Sequence, residues 1–147
     1  MFHKLIGTTD DFAITILRLV LGIVFFAHGA QKVLGWFGGY GFSGTMNFFT
    51  HQMGIPAPFA LLAIAAEFLG GLGLLVGLLG RVAAFGIACN MVVAVLMVHR
   101  HFGFFANWNG TQKGEGFEYH LLAIAMALVI IIKGSGALSI DRAISKA

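Results

Sequence analysis

Nine side chains in this sequence have the type and the placement to do chemistry in an apolar setting: Arg18, His28, Gln31, Lys32, Glu67, Asn90, His99, Glu118 and His120. Each lies inside or at the edge of a long apolar run. An ionisable group at bilayer depth costs about 2.5–3.5 kcal/mol or more, so it is kept for a partner or a task. His28 and Lys32 are four residues apart and share a helix face. At about 1.5 Å of rise per residue, His28 lies roughly 9 Å from one end of its run, and Glu67 roughly 12 Å from the matching end of the next. The two can therefore be level. Gln31, Lys32, His99, Glu118 and His120 can converge with them on one pocket in the outer leaflet, with Asn90 deeper. A carboxylate beside an imidazole can pass protons. Imidazole, amide and ammonium donors can hold the carbonyl oxygens of a lipophilic ring in an apolar slot.

Plainer roles compete for the same residues. Glu67 can pair with Lys32 or Arg18 to hold helices together. Lys32 can snorkel to the headgroups, and His99 can sit at the interface. Arg18 can bind backbone carbonyls or a lipid phosphate. A site assembled from His28, His99 and His120 would be needed for a metal. The only close pair, His99-x-His101, diverges on a helix, so no metal is expected.

The elements that must position these residues are four apolar runs: Phe12 to Leu34, Phe59 to Leu79, Val82 to His99 and Tyr119 to Ile132. About 20 apolar residues span a bilayer core. The expected fold is all-α: a single membrane domain over residues 1–147, built as a four-helix bundle. Its helices are expected at about 12–34, 59–79, 82–99 and 118–133. A short interfacial helix or structured loop, near Ser43 to Met53, is expected between the first two. Thr8-Thr9-Asp10 offers N-cap chemistry, Gly35 a C-cap, and Pro56 and Pro58 a helix start. Gly80-Arg81 leaves room only for a tight αα-hairpin. The tail after Gly136 reads as a short amphipathic surface segment. Ala66/Gly70 and Gly73/Gly77 are small-residue pairs that let helices approach closely.

Composition agrees. Of 147 residues, 59% are hydrophobic and 10% charged, with mean hydropathy +0.91, against about 25% charged in soluble domains. The nine Lys and Arg are scattered, which argues against nucleic-acid binding. The lone Cys89 can form no internal disulfide, so a redox role would need a bound small molecule or a partner's cofactor. Asp10 and Asp11 before the first run argue for a retained helix over a signal peptide. Gly39-x-Gly41-x-x-Gly44 follows an apolar helix instead of a strand, so it reads as a loop and not as a dinucleotide site. Lys4, Arg81, Lys133, Arg142 and Lys146 fall on one side of four spans, and Lys32, Arg100 and Lys113 on the other. By the positive-inside rule both termini are expected in the cytoplasm, in a bacterial inner membrane.

The chain resembles the DoxX family of small bacterial membrane proteins. The likeness is carried by Arg18-Leu19-Val20-Leu21-Gly22, by Phe26-Ala27-His28-Gly29-Ala30-Gln31-Lys32-Val33-Leu34-Gly35 and by Glu67-Phe68-Leu69-Gly70-Gly71. Gly116-Phe117-Glu118-Tyr119 and the closing Gly134-x-Gly136-x-Leu138-Ser139-x-Asp141 also fit. The resemblance implies four helices and work near the quinone pool, since the family takes its name from subunits of a thiosulfate:quinone oxidoreductase. It supplies no agreed catalytic residues. The expected function is a redox-associated membrane component that contacts a quinone or similar carrier, with no resident cofactor and with a redox partner protein. Two alternatives stay open: a small-solute transporter, expected as a homodimer with a His28/Glu67 proton relay, and a non-catalytic scaffold for a redox complex.

Overall fold

The computed structural model describes residues 2–145; Lys146, counted above among the terminal cations, lies outside them. Among the described residues the protein is all-helical, with seven α-helices and no strand. These are α1 (Phe2–Ile6), α2 (Phe12–Leu34), α3 (Gly41–Asn47), α4 (Ala57–Val76), α5 (Gly80–Met97), α6 (Glu118–Lys133) and α7 (Ile140–Ser145). Three of them, α2, α4 and α5, are long and apolar enough to cross a membrane. With 16 residues, α6 reaches about 24 Å.

α2 packs along α4, α4 on α5 and α5 on α6, and α6 closes back on α2. Their shared core holds Leu21, Phe25, Leu74, Ile87, Met91, Ala127 and Ile130. The outward faces are as apolar as the inside: Phe12, Ile23, Leu62, Leu69, Phe85, Leu122 and Ile132 are all more than half exposed. A surface of that kind is stable against lipid and not against water.

Glycine sets the tightest contact. A Cβ on Gly29 of α2 would lie 2.4 Å from the Phe68 Cα, and one on Gly71 of α4 would lie 2.4 Å from the Phe26 nitrogen. Of the pairs read from sequence, Ala66 and Gly70 serve the other face of α4, where they meet Ala83, Ile87 and Gly86 of α5, whereas Gly77 abuts Ser139 and Arg18.

Two helices differ from the sequence reading at both ends. α4 runs from 57 to 76, not 59 to 79, because Gly77 takes a left-handed conformation (φ 71°) and its N–H returns to the Gly73 carbonyl, a capping geometry that suits glycine. α5 then starts at Gly80 and ends at Met97. The segment near 43–53 is α3 followed by a π-helical turn over Phe48–Gln52.

The end of the molecule that holds both termini is closed by polar groups bonded to helix ends. Arg18 is 1% exposed. Its guanidinium donates to the carbonyls of Leu74 and of Leu75 (2.9 Å) at the end of α4, and to those of Ser135 (2.7 Å) and Leu138 (2.6 Å). Arg81 does the same for α6, donating to Ile131 and Ile132, and also to Gly7 at 3.0 Å. Asp141 is buried and accepts from the Leu79 and Gly80 N–H groups, at 2.8 and 2.9 Å, and from the Ser135 hydroxyl at 2.6 Å. It thereby caps the start of α5 and holds Leu79 at a left-handed φ of 51°. Cations at helix C-termini and an anion at an N-terminus match both the orphan backbone groups and the helix dipoles. Arg142 pairs with Asp10. The closing segment lies largely exposed on this end of the bundle, as the sequence reading expects, and is fastened there through buried Asp141 and Ser135.

Candidate functional site

At the opposite end, three helices each contribute one polar side chain to a single buried cluster. Glu67 of α4 is 6% exposed. Its carboxylate accepts from the Lys32 ammonium of α2 at 2.5 Å and from the Asn90 amide of α5 at 2.9 Å. A buried carboxylate with a cation on one oxygen and an amide on the other is satisfied, whereas either charge alone would not be. The Lys32 side chain keeps 23% exposure, so its ammonium joins the buried carboxylate to a more open space.

That space is made by residues 35–56. Gly35 ends α2 with φ 71°, and the chain doubles back through a short 3-10 turn, Trp36–Gly38. Gly39 then lies directly on α2, where a Cβ would fall 2.2 Å from the Gln31 carbonyl oxygen. The Gln31 amide donates to the Phe37 carbonyl at 3.4 Å. Between this loop, α3 and α2 is a groove of about 270 Å³, lined by Gln31, Lys32, Gly38, Gly39, Tyr40, Thr45, Phe48 and Phe49. Its far wall is aromatic, and its polar side chains are the donor-only Lys32 ammonium and the Gln31, Tyr40 and Thr45 groups, which can donate or accept.

The other sequence candidates fall into separate groups. His28 is exposed on α2, within electrostatic reach of Lys32 and Glu67. Its ring lies 6.4 Å from that of Tyr119. The His99 and His120 rings are in contact, tilted at 42° with centroids 4.0 Å apart. His99 Nδ1 is 2.8 Å from the Glu115 carbonyl, while His120 Nδ1 is buried without a partner. Glu118 fastens the second long loop, accepting from the Ala106 N–H at 2.9 Å and the Trp108 indole at 2.8 Å. Arg18 is at the far end. Among the described residues no three His, Cys, Asp or Glu side chains converge as a metal site.

Sequence reasoning missed the groove's far wall. Tyr40, Thr45, Phe48 and Phe49 carry no charge and gave no signal of a site. It also passed over Arg81 and Ser135. Asp141 was noticed only as part of a resemblance, although an acidic residue in so apolar a chain is itself a signal.

A helical membrane protein, with a lysine–glutamate–asparagine cluster beneath a small aromatic groove, is the class this geometry defines. The DoxX family model matches residues 13–100, a stretch that carries Lys32, Glu67 and Asn90. This chain belongs to the DoxX family. It is 29% identical over 137 residues to "Inner membrane protein YqjF" of Escherichia coli (strain K12), covering 93% of this chain and 95% of that protein. It is 30% identical over 126 residues to "Putative oxidoreductase CatD" of Bacillus subtilis (strain 168), covering 86% and 82%. No solved structure matches it.

Proposed function

We propose that this protein is an inner membrane component of a bacterial redox system, and that the groove over Lys32 receives the head group of a quinone or similar lipophilic carrier. The observation that carries the reading is the Lys32 ammonium, held by buried Glu67 on one side and bordering an aromatic-walled space on the other. One ammonium hydrogen stays with the carboxylate. Another can meet a ring carbonyl, which is an acceptor and needs a donor. Tyr40, Phe48 and Phe49 offer faces for a flat ring. A space near 270 Å³ suits a head group better than a whole carrier, since pockets for drug-sized ligands start at about 300 Å³; the tail would extend into lipid. Electrons would be exchanged with a redox partner protein, because the single cysteine forms no dithiol couple within the chain. The names of the two relatives, an inner membrane protein and a putative oxidoreductase, support this setting.

In this reading α6 is the fourth span. The end bearing Lys4, Arg81, Lys133 and Arg142 faces the cytoplasm, and the groove opens toward the outer leaflet.

The test is thermal unfolding of the purified protein in lipid nanodiscs with short-tailed benzoquinones and naphthoquinones. A ligand at 100 times its Kd stabilises by about 2.7 kcal/mol, a clear rise in Tm. The double variant Lys32→Met/Glu67→Gln removes both charges together, so it leaves no unpaired ion, and should lose that rise. Tm values unmoved by either quinone class would refute the proposal.

A further inference from the structure

Thr45 is 4% exposed, lies on α3 and lines the groove together with Gln31 and Lys32 of α2. The hydroxyls of Thr8, Thr9, Thr15 and Thr50 all lie within hydrogen-bonding distance of backbone carbonyls. Thr50 does so four residues back within its own turn, at 2.8 Å, the usual solution for a helical threonine. Thr45 makes no such bond back to Gly41. Nor is its oxygen sealed away: among the described residues His120 Nδ1 is the enclosed side-chain polar atom without a partner. The Thr45 hydroxyl therefore reaches the groove with its hydrogen-bonding capacity unspent. The chain also makes room for it. Gly39 lets the loop lie against α2, and Gly44 lets Tyr40 fold over α3, where a Cβ would come within 2.9 Å of the Tyr40 Cβ.

We propose that Thr45 is a second polar anchor of the groove, and that the groove selects a ring with two acceptor oxygens over a ring with one. The inference rests on the carrier reading above and sharpens it. One Gln31 amide hydrogen is engaged with Phe37, and the groove offers a ligand the Lys32 ammonium from α2 and the Thr45 hydroxyl from α3, beside the second Gln31 hydrogen and the Tyr40 hydroxyl. A 1,4-dione places acceptors on opposite edges of a flat ring and meets both donors. A monoketone meets one and leaves the other dry and unpaired, which is how a polar site rejects an analogue lacking the matching group.

The experiment compares 1,4-naphthoquinone with 1-tetralone by titration calorimetry on the nanodisc-embedded protein. The wild type should bind the dione at least tenfold more tightly. Thr45→Val, nearly isosteric, should bind both with the weaker affinity, and Thr45→Ser should keep the preference. The ligand-free Tm of Thr45→Val should not fall, because the hydroxyl has no partner within the protein. A Thr45→Val protein that keeps the tenfold preference overturns the inference and leaves the carrier reading intact. If the wild type binds neither compound, both fall together.

Discussion

Replacing Arg18 with methionine should destabilise this protein strongly while leaving the chemistry of the folded molecules unchanged. The guanidinium donates to four carbonyls, those of Leu74, Leu75, Ser135 and Leu138. Each bond to a charged donor has a net value of about 1.5–3 kcal/mol, or roughly 6–12 kcal/mol if they were independent. Against this stands the cost of burying the guanidinium, several kcal/mol, which methionine would avoid. A net loss of about 3–5 kcal/mol is expected, a large part of the 5–15 kcal/mol that holds a typical domain together. Arg18→Lys should recover only part, since an ammonium on a flexible stem cannot serve four carbonyls in a planar fan. Unfolding in mixed micelles, followed by circular dichroism, measures the difference. A loss below about 1 kcal/mol, or full rescue by lysine, would refute the idea that this residue is a brace between α2, α4 and the closing segment. Ligand affinity per folded molecule should stay at the wild-type value.

Two other changes test the packing. Gly29→Ala puts a carbon 2.4 Å from the Phe68 backbone and should cost about 1–3 kcal/mol by overpacking; an unchanged melting temperature would mean that α2 and α4 lie further apart. His120→Phe removes a buried nitrogen with no partner and keeps a ring beside His99, so stability should hold or rise. A loss above about 1 kcal/mol in the same assay would show that the imidazole makes an essential bond.

The sequence resolved some levels of this molecule and not others. Apolar run length located α2 and α6, because nothing in those runs interrupts the helix. It overran α4, since a hydropathy reading does not distinguish Gly77 inside a helix from Gly77 as its left-handed end. Because charge is rare in such a chain, Lys32 and Arg18 were both legible as partners for Glu67, and the structure gives Lys32. Asn90 was legible only as a deeper polar group, and the structure puts it on the second carboxylate oxygen. The wider convergence did not follow from depth alone. His28 stays within electrostatic reach of Glu67 and Lys32, yet its ring is exposed on α2, and depth does not give the azimuth around the bundle that decides this. Thr45 and the aromatic wall depend on how residues 35–56 fold back over α2, a path fixed by backbone conformations at Gly35 and Gly39 that carry no hydropathic signal.

Arg18 and its carbonyl partners at Ser135 and Leu138 are 117 and 120 positions apart. The ribosome therefore delivers the first helix to the membrane with a cation whose last acceptors have not yet been made. Until the final stretch emerges, Asp141 is also missing from the start of α5, and the nascent bundle stays open at its terminal end. A premature stop before codon 135 would leave every apolar helix in place but take away two of that cation's four carbonyls and the Asp141 cap, marking the product for proteolytic clearance.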